Sequence, residues 1–182
     1  MGKTRSLALS AMLIALALGL SYMERFLPLQ LLIPLPGVKL GLANIVTLFA
    51  LYFLGGKSAV QILVIRCALG AMFGGGLTAF FFSITGGVLA MATMALTRRL
   101  PFLSIYGVSI CGAAAHQTGQ VLMAVLLLRS VYVAGYLPAL LLISIVTGFL
   151  TGAVSAACSR AMIAAQLPFA SNMEVSYAGE FD

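Results

Sequence analysis

The chain has 182 residues, of which 62% are hydrophobic and 8% charged, with a formal net charge of +6 and a mean hydropathy of +1.14. Soluble domains carry roughly 25% charged residues, so this composition excludes an ordinary soluble fold and points to an integral membrane protein. It also excludes a nucleic-acid binder, which needs a basic soluble surface, and leaves the positive charge to membrane topology.

A helix crossing a bilayer core of about 30 Å needs about 20 residues, so about six crossings fit. In chain order the apolar runs are Ser6 to Met23, Leu40 to Leu54, Ser58 to Phe73, Leu77 to Thr97, Ile105 to Leu128 and Leu137 to Ile163. The first follows Lys3 and Arg5, a pattern shared with secretory signal peptides, but "ALGLSYMERFLP" offers a poor cleavage site and further spans follow. The second and third are short, which implies tilt, local thinning or shielding by protein. Breakers separate the runs at Gly55-Gly56-Lys57, Gly74-Gly75-Gly76, Arg98 to Pro101 and Arg129 to Pro138.

With the N-terminus inside, Lys3, Arg5, Lys57, Arg98, Arg99 and Arg160 are cytoplasmic, against Arg25, Lys39 and Arg129 outside. The positive-inside rule therefore predicts an all-α bundle with both termini cytoplasmic. Residues 1–165 form the membrane domain, and 166–182, "LPFASNMEVSYAGEFD" with the preceding Gln166, form a polar cytoplasmic tail. Cys67, Cys111 and Cys158 lie inside hydrophobic spans without metal-ligand spacing and read as core filler.

The polar residues inside these spans stand out because each is costly to bury alone. Lys39 and Asn44 lie where the chain re-enters from outside, after "ERFLPLQLLIPLPGVK", whose prolines and apolar residues predict an ordered cap over the helices. Gly37 and Gly41 permit close backbone approach there. Arg66 comes nine residues after Lys57, about 13 Å along a helix and thus near the midplane. A charge at that depth costs about 2.5 kcal/mol or more on insertion scales and marks a functional site, with pairing to Glu24 as the structural alternative. Ser83 and Gly86-Gly87 lie at similar depth, with helix packing as their usual role. His116 and Gln120 are four apart on one helical face with Gly112. Interhelical hydrogen bonding accounts for Asn44, His116 and Gln120 as well as ligand contact does.

Catalysis has little support. No aspartate precedes Asp182 and no acidic pair lies within a span, so Mg-diphosphate chemistry has no ligands, and neither a metal site nor a cofactor site is expected. No Walker A sequence is present. Small residues recur every four positions at Ala11, Ala15 and Gly19 in the first span and at Gly148, Gly152 and Ala156 in the last. Such stripes let another helix approach closely, either within the bundle or from a partner.

"PGVKLGLANIVTLFALYFLG", "RCALGAMFGGG", "FSITGGVLAM" and "GVSICGAAAHQTGQVLMA" together resemble the bacterial membrane proteins called heptaprenyl diphosphate synthase component I, also the Gx transporter family, from about Ala11 to Ala157. That family in turn resembles the substrate-binding S components of energy-coupling factor transporters, six-helix proteins that capture vitamin-like micronutrients. There an AxxxA pattern in the first helix contacts a transmembrane T component, and "AMLIA" at Ala11 to Ala15 matches it. The resemblance implies a T component and two ATPase subunits as partners in a bacterial cytoplasmic membrane. With it, the polar residues Lys39, Asn44, Arg66, Ser83, His116 and Gln120 read as the expected substrate contacts, and the small-residue stripe Ala11, Ala15 and Gly19, whose first two members match AxxxA, as the expected partner surface. The synthase name implies instead an accessory of polyprenyl diphosphate or quinone synthesis. A stand-alone ion-coupled carrier is a third reading, for which Glu24 near the boundary is the sole intramembrane carboxylate on offer.

Overall fold

The computed structural model describes residues 3–26 and 39–164. These residues form six α-helices: α1 (Lys3–Met23), α2 (Asn44–Phe53), α3 (Gly56–Gly70), α4 (Gly76–Thr97), α5 (Ile105–Leu128) and α6 (Leu137–Ala164). No strand occurs among them. The expected cap at 24–39 falls largely on residues 27–38, and Gly37 and the 166–182 tail likewise lie outside the described residues.

Four helical stretches are long and apolar enough to cross a membrane: Ser6–Met23, Gly56–Thr97, Ile105–Leu128 and Val131–Met162. The second of these, 42 residues long, is not one helix. Phe73 and Gly74 leave helical geometry inside a π-type turn, Ala71–Gly75, and Gly74 and Gly76 have φ of 93° and 67°. A side chain resists those angles, and the glycines let α3 reverse into α4, which packs against it. The break comes three residues earlier than the expected end at Phe73, because the π-type turn takes up Ala71 to Phe73.

The short α2 is the hub, in contact with all five other helices. All but two of the residues of its sequence NIVTLFALYF are buried, the polar Asn44 and Thr47 included. Of the three explanations for a short span, shielding by protein is the one that applies to α2. Its core face packs Val46, Leu48, Leu51 and Phe53 with Leu13 and Ala17 of α1 and Ile62 and Leu63 of α3.

On the other side, α5 lies between α4 and α6. Gly119 of α5 meets Gly86 of α4 so closely that a Cβ at 119 would stand 2.9 Å from the Gly86 Cα. Ser109 and Thr151 share a 2.7 Å hydrogen bond between α5 and α6. Ser104 caps α5 by accepting from the Gly107 N–H, and the helix stops at Arg129, whose φ is 49°. A 3-10 turn, Val131–Tyr136, leads into α6.

The outer surface is apolar, with Leu7, Met12 and Leu16 on α1 and Leu142, Val146 and Phe149 on α6 all exposed. Such a surface suits lipid and not water, so the chain is a multi-pass membrane protein. Cys67 is buried as expected of core filler, but Cys158 is exposed and Cys111 half-buried. Cys158 lies on the outward face of α6, which accepts apolar side chains, and Cys111 lies on α5.

Candidate functional site

The polar residues singled out in the sequence converge at the end of the bundle where α1 finishes and α2 starts. Gly41 is required there: its φ is 88°, and a Cβ would stand 2.8 Å from Asn44 Nδ2 and 2.9 Å from His116 Cδ2. The tight turn that results brings Lys39 against α4 and α5. Lys39 Nζ donates to Ser83 Oγ at 3.2 Å, its backbone N–H donates to Gln120 Oε1 at 3.1 Å, and its carbonyl accepts from Gln117 Nε2 at 3.2 Å. Two glutamines of one helix thus hold both backbone groups of a single residue.

Gln120 also fixes the state of His116. Its amide oxygen is committed to the Lys39 N–H, so its Nε2, 2.9 Å from His116 Nε2, donates. The accepting imidazole nitrogen carries no proton, and His116 is therefore neutral with its hydrogen on Nδ1. An imidazolium contact to an anion is not what this arrangement offers.

Arg66 and Asn44 form the inner part, with Arg66 Nη2 donating to Asn44 Oδ1 at 3.3 Å. The two residues are 6% and 3% exposed, and Arg66 Nε and Asn44 Nδ2 have no hydrogen-bond partner among the described residues. The pairing with Glu24 considered from sequence is not a direct hydrogen bond. Glu24 accepts from the Leu42 N–H, at the N-terminal turn of α2, where a negative charge is favoured. Burial pushes its carboxyl above the usual carboxylate range, while the Leu42 N–H and the charges of Lys39 and Arg66 pull it back down. Glu24, Lys39 and Arg66 are thus one electrostatic unit.

All six expected contacts, Lys39, Asn44, Arg66, Ser83, His116 and Gln120, belong to this cluster. Gln117, fully buried, is a member that sequence reasoning passed over, although a second glutamine in the same apolar run was a signal of equal cost. Gly86 and Gly87 sit behind the cluster as packing surfaces, against His116 and Leu63 respectively. Among the described residues no three His, Cys, Asp or Glu side chains gather as a metal site.

The two small-residue stripes have opposite fates. Gly148 and Gly152 pack on the Ile110 and Tyr106 backbone of α5, and Ala156 is buried, so the last stripe is internal. Ala11, Ala15 and Gly19 are exposed. Ala11 borders a groove of about 480 Å³ between α1 and α3, with Ser10, Ser58 and Gln61. Ala15 and Gly19 border a second, of about 400 Å³, which ends at Lys39 and Phe73.

Neither curated proteins nor solved structures give a match. The family described as heptaprenyl diphosphate synthase component I matches residues 13–158, a stretch that holds the whole of α2 to α5 and every member of the polar cluster. The chain belongs to that family.

Proposed function

We propose that the chain is the substrate-capture S component of an energy-coupling factor importer in a bacterial cytoplasmic membrane, taking up a small anionic or polar micronutrient. In this reading the six helices all cross, with both termini in the cytoplasm, and the chain itself is not an enzyme. A T component and two ATPases supply the energy. The observation that carries the reading is the cluster of Lys39, Asn44, Arg66, Ser83, His116 and Gln120, drawn from four parts of the chain into one end of an otherwise apolar bundle. Intramembrane polarity on this scale is costly and marks substrate paths. The exposed stripe of α1 beside two interhelical grooves supports a partner helix at that face.

The family's description favours a second reading, an accessory subunit of polyprenyl diphosphate or quinone synthesis. Co-expression distinguishes the two. The tagged chain is expected to retain a T component and its ATPases through purification, and Ala11→Leu with Ala15→Leu is expected to abolish that retention while helix content stays unchanged. Retention of a prenyl synthase subunit in place of the T component would favour the accessory role, and unaltered T-component binding by the double variant would remove the α1 interface.

A further inference from the structure

The polar cluster is short of negative charge. The acidic residues of the chain are Glu24, Glu174, Glu180 and Asp182, and residues 27–38 carry no charge of either sign. Ahead of the tail, Glu24 is therefore the one carboxylate that can serve the cluster. The charges of Lys39 and Arg66 both favour its ionised form, while His116 is held neutral by Gln120. With Glu24 ionised, the count stands at two positive charges against one negative. A desolvated charge without a counter-charge is unfavourable in a low-dielectric interior.

The open hydrogen-bonding positions of Arg66 and Asn44 are both donors. Arg66 Nε and Asn44 Nδ2 are N–H donors without acceptors among the described residues, on side chains already linked to each other and more than nine-tenths buried. What both lack is an acceptor, and what the cluster lacks is one negative charge. The open acceptor Gln117 Oε1 offers a place for a hydroxyl or N–H, not for further negative charge.

We propose that this cluster binds a group bearing a single negative charge, a carboxylate or a group of like charge, at the open donors of Arg66 and Asn44, and that it rejects dianionic phosphate and diphosphate groups. The inference rests on the substrate-capture reading and narrows its substrate class to monoanions.

The test uses the full chain in phosphatidylcholine nanodiscs and three probes of one skeleton: benzoate, benzamide and phenyl phosphate. Wild type is expected to bind benzoate at least about tenfold more tightly than either of the others, since a buried charge pair dominates such differences. Arg66→Gln restores the charge balance and should lose the preference for benzoate over benzamide. Glu24→Gln leaves the cluster two charges short and should prefer phenyl phosphate. Should that variant fail to fold, Lys39→Gln decides alone, because it also restores balance and should also lose the benzoate preference. Phenyl phosphate binding as tightly as benzoate to wild type, or one ranking shared by all the variants, overturns the inference, as does the absence of any benzoate binding.

Repeating the titration in phosphatidylglycerol nanodiscs separates two sources of a monoanion. Loss of benzoate binding there identifies a lipid phosphodiester as the occupant, and retention identifies a free carboxylate; each satisfies the single-charge rule. Retention of the T component is measured on the same variants. A wild type that shows no benzoate preference but assembles normally would defeat this inference alone, and a wild type that keeps the preference but does not assemble would defeat the importer reading alone.

Discussion

At Glu24, burial and charge act in opposite directions, and burial is the larger effect: the carboxyl is raised from its ordinary value of 4.5. An acid whose pKa is higher in the folded state contributes stability that is fully present below the unfolded value and is lost as pH rises through the folded one. Stability of the wild type in a non-ionic detergent should therefore fall as pH is raised from 4.5 through that folded value and then level. Glu24→Gln should lack this decline, because the amide keeps an acceptor for the Leu42 N–H but does not titrate. A decline of equal size in the variant would assign it to another group. Above that range the carboxylate is ionised and the single-charge deficit applies. The residues around Glu24 were legible in the sequence to different degrees. Lys39, Asn44, Arg66, Ser83, His116 and Gln120 each interrupt an apolar run, and the cost of burying them unpartnered singles them out. Gln117 escaped because the four-residue spacing from His116 selects Gly112 and Gln120, whereas Gln117 is turned about 100° away on the helix. Its partner is the Lys39 carbonyl, and a backbone group leaves no residue-type signal in a sequence.

Among the elements, α2 and the two stripes show what periodicity settles and what it leaves open. The run from Leu40 to Leu54 announced a helix too short for an ordinary crossing, yet tilt, thinning and shielding all produce the same sequence. Contacts from five neighbours decide for shielding. The stripes of α1 and α6 likewise have one spacing and two environments, since a period defines a face and not what lies against it. Substitution separates them. Gly148→Ala would place its Cβ 2.6 Å from the Ile110 Cα, backbone that cannot swing aside, and should cost about 1–3 kcal/mol through overpacking. Gly19→Ala meets nothing within 4 Å and, within a helix, should stabilise the isolated chain by about 0.5–1 kcal/mol. Unfolding both variants in the same detergent checks the contrast; equal destabilisation would mean that α1 is as closely packed as α6.

Across the whole molecule, two hydrogen bonds fix which helix ends lie together. Glu24 accepts from Leu42, so the end of α1 meets the start of α2 at the polar cluster. At the opposite end, Arg98 Nη1 donates to the Leu51 carbonyl at 2.8 Å, tying the end of α4 to the last turn of α2. A cation at a helix C-terminus is favourable, and the contact places the turn after α2, with Lys57, beside the turn after α4, with Arg98 and Arg99. These basic turns therefore share one end of the bundle, opposite the polar cluster. In the importer reading proposed above, the positive-inside rule would put that end in the cytoplasm and turn the cluster outward. Arg129, 24 residues into the next segment after Ile105, then belongs outside. In a background with Cys67, Cys111 and Cys158 replaced by alanine, a membrane-impermeant maleimide should label Arg129→Cys in intact cells. It should label Lys57→Cys and Arg99→Cys only after permeabilisation. The reversed pattern would turn the cluster toward the cytoplasm and leave an importer without an external site. Labelling of all three positions from outside would break the pairing of the two basic turns with the cytoplasmic face. Only the expected pattern fits the proposed importer, in which Lys39 and Arg66 would meet a substrate from outside.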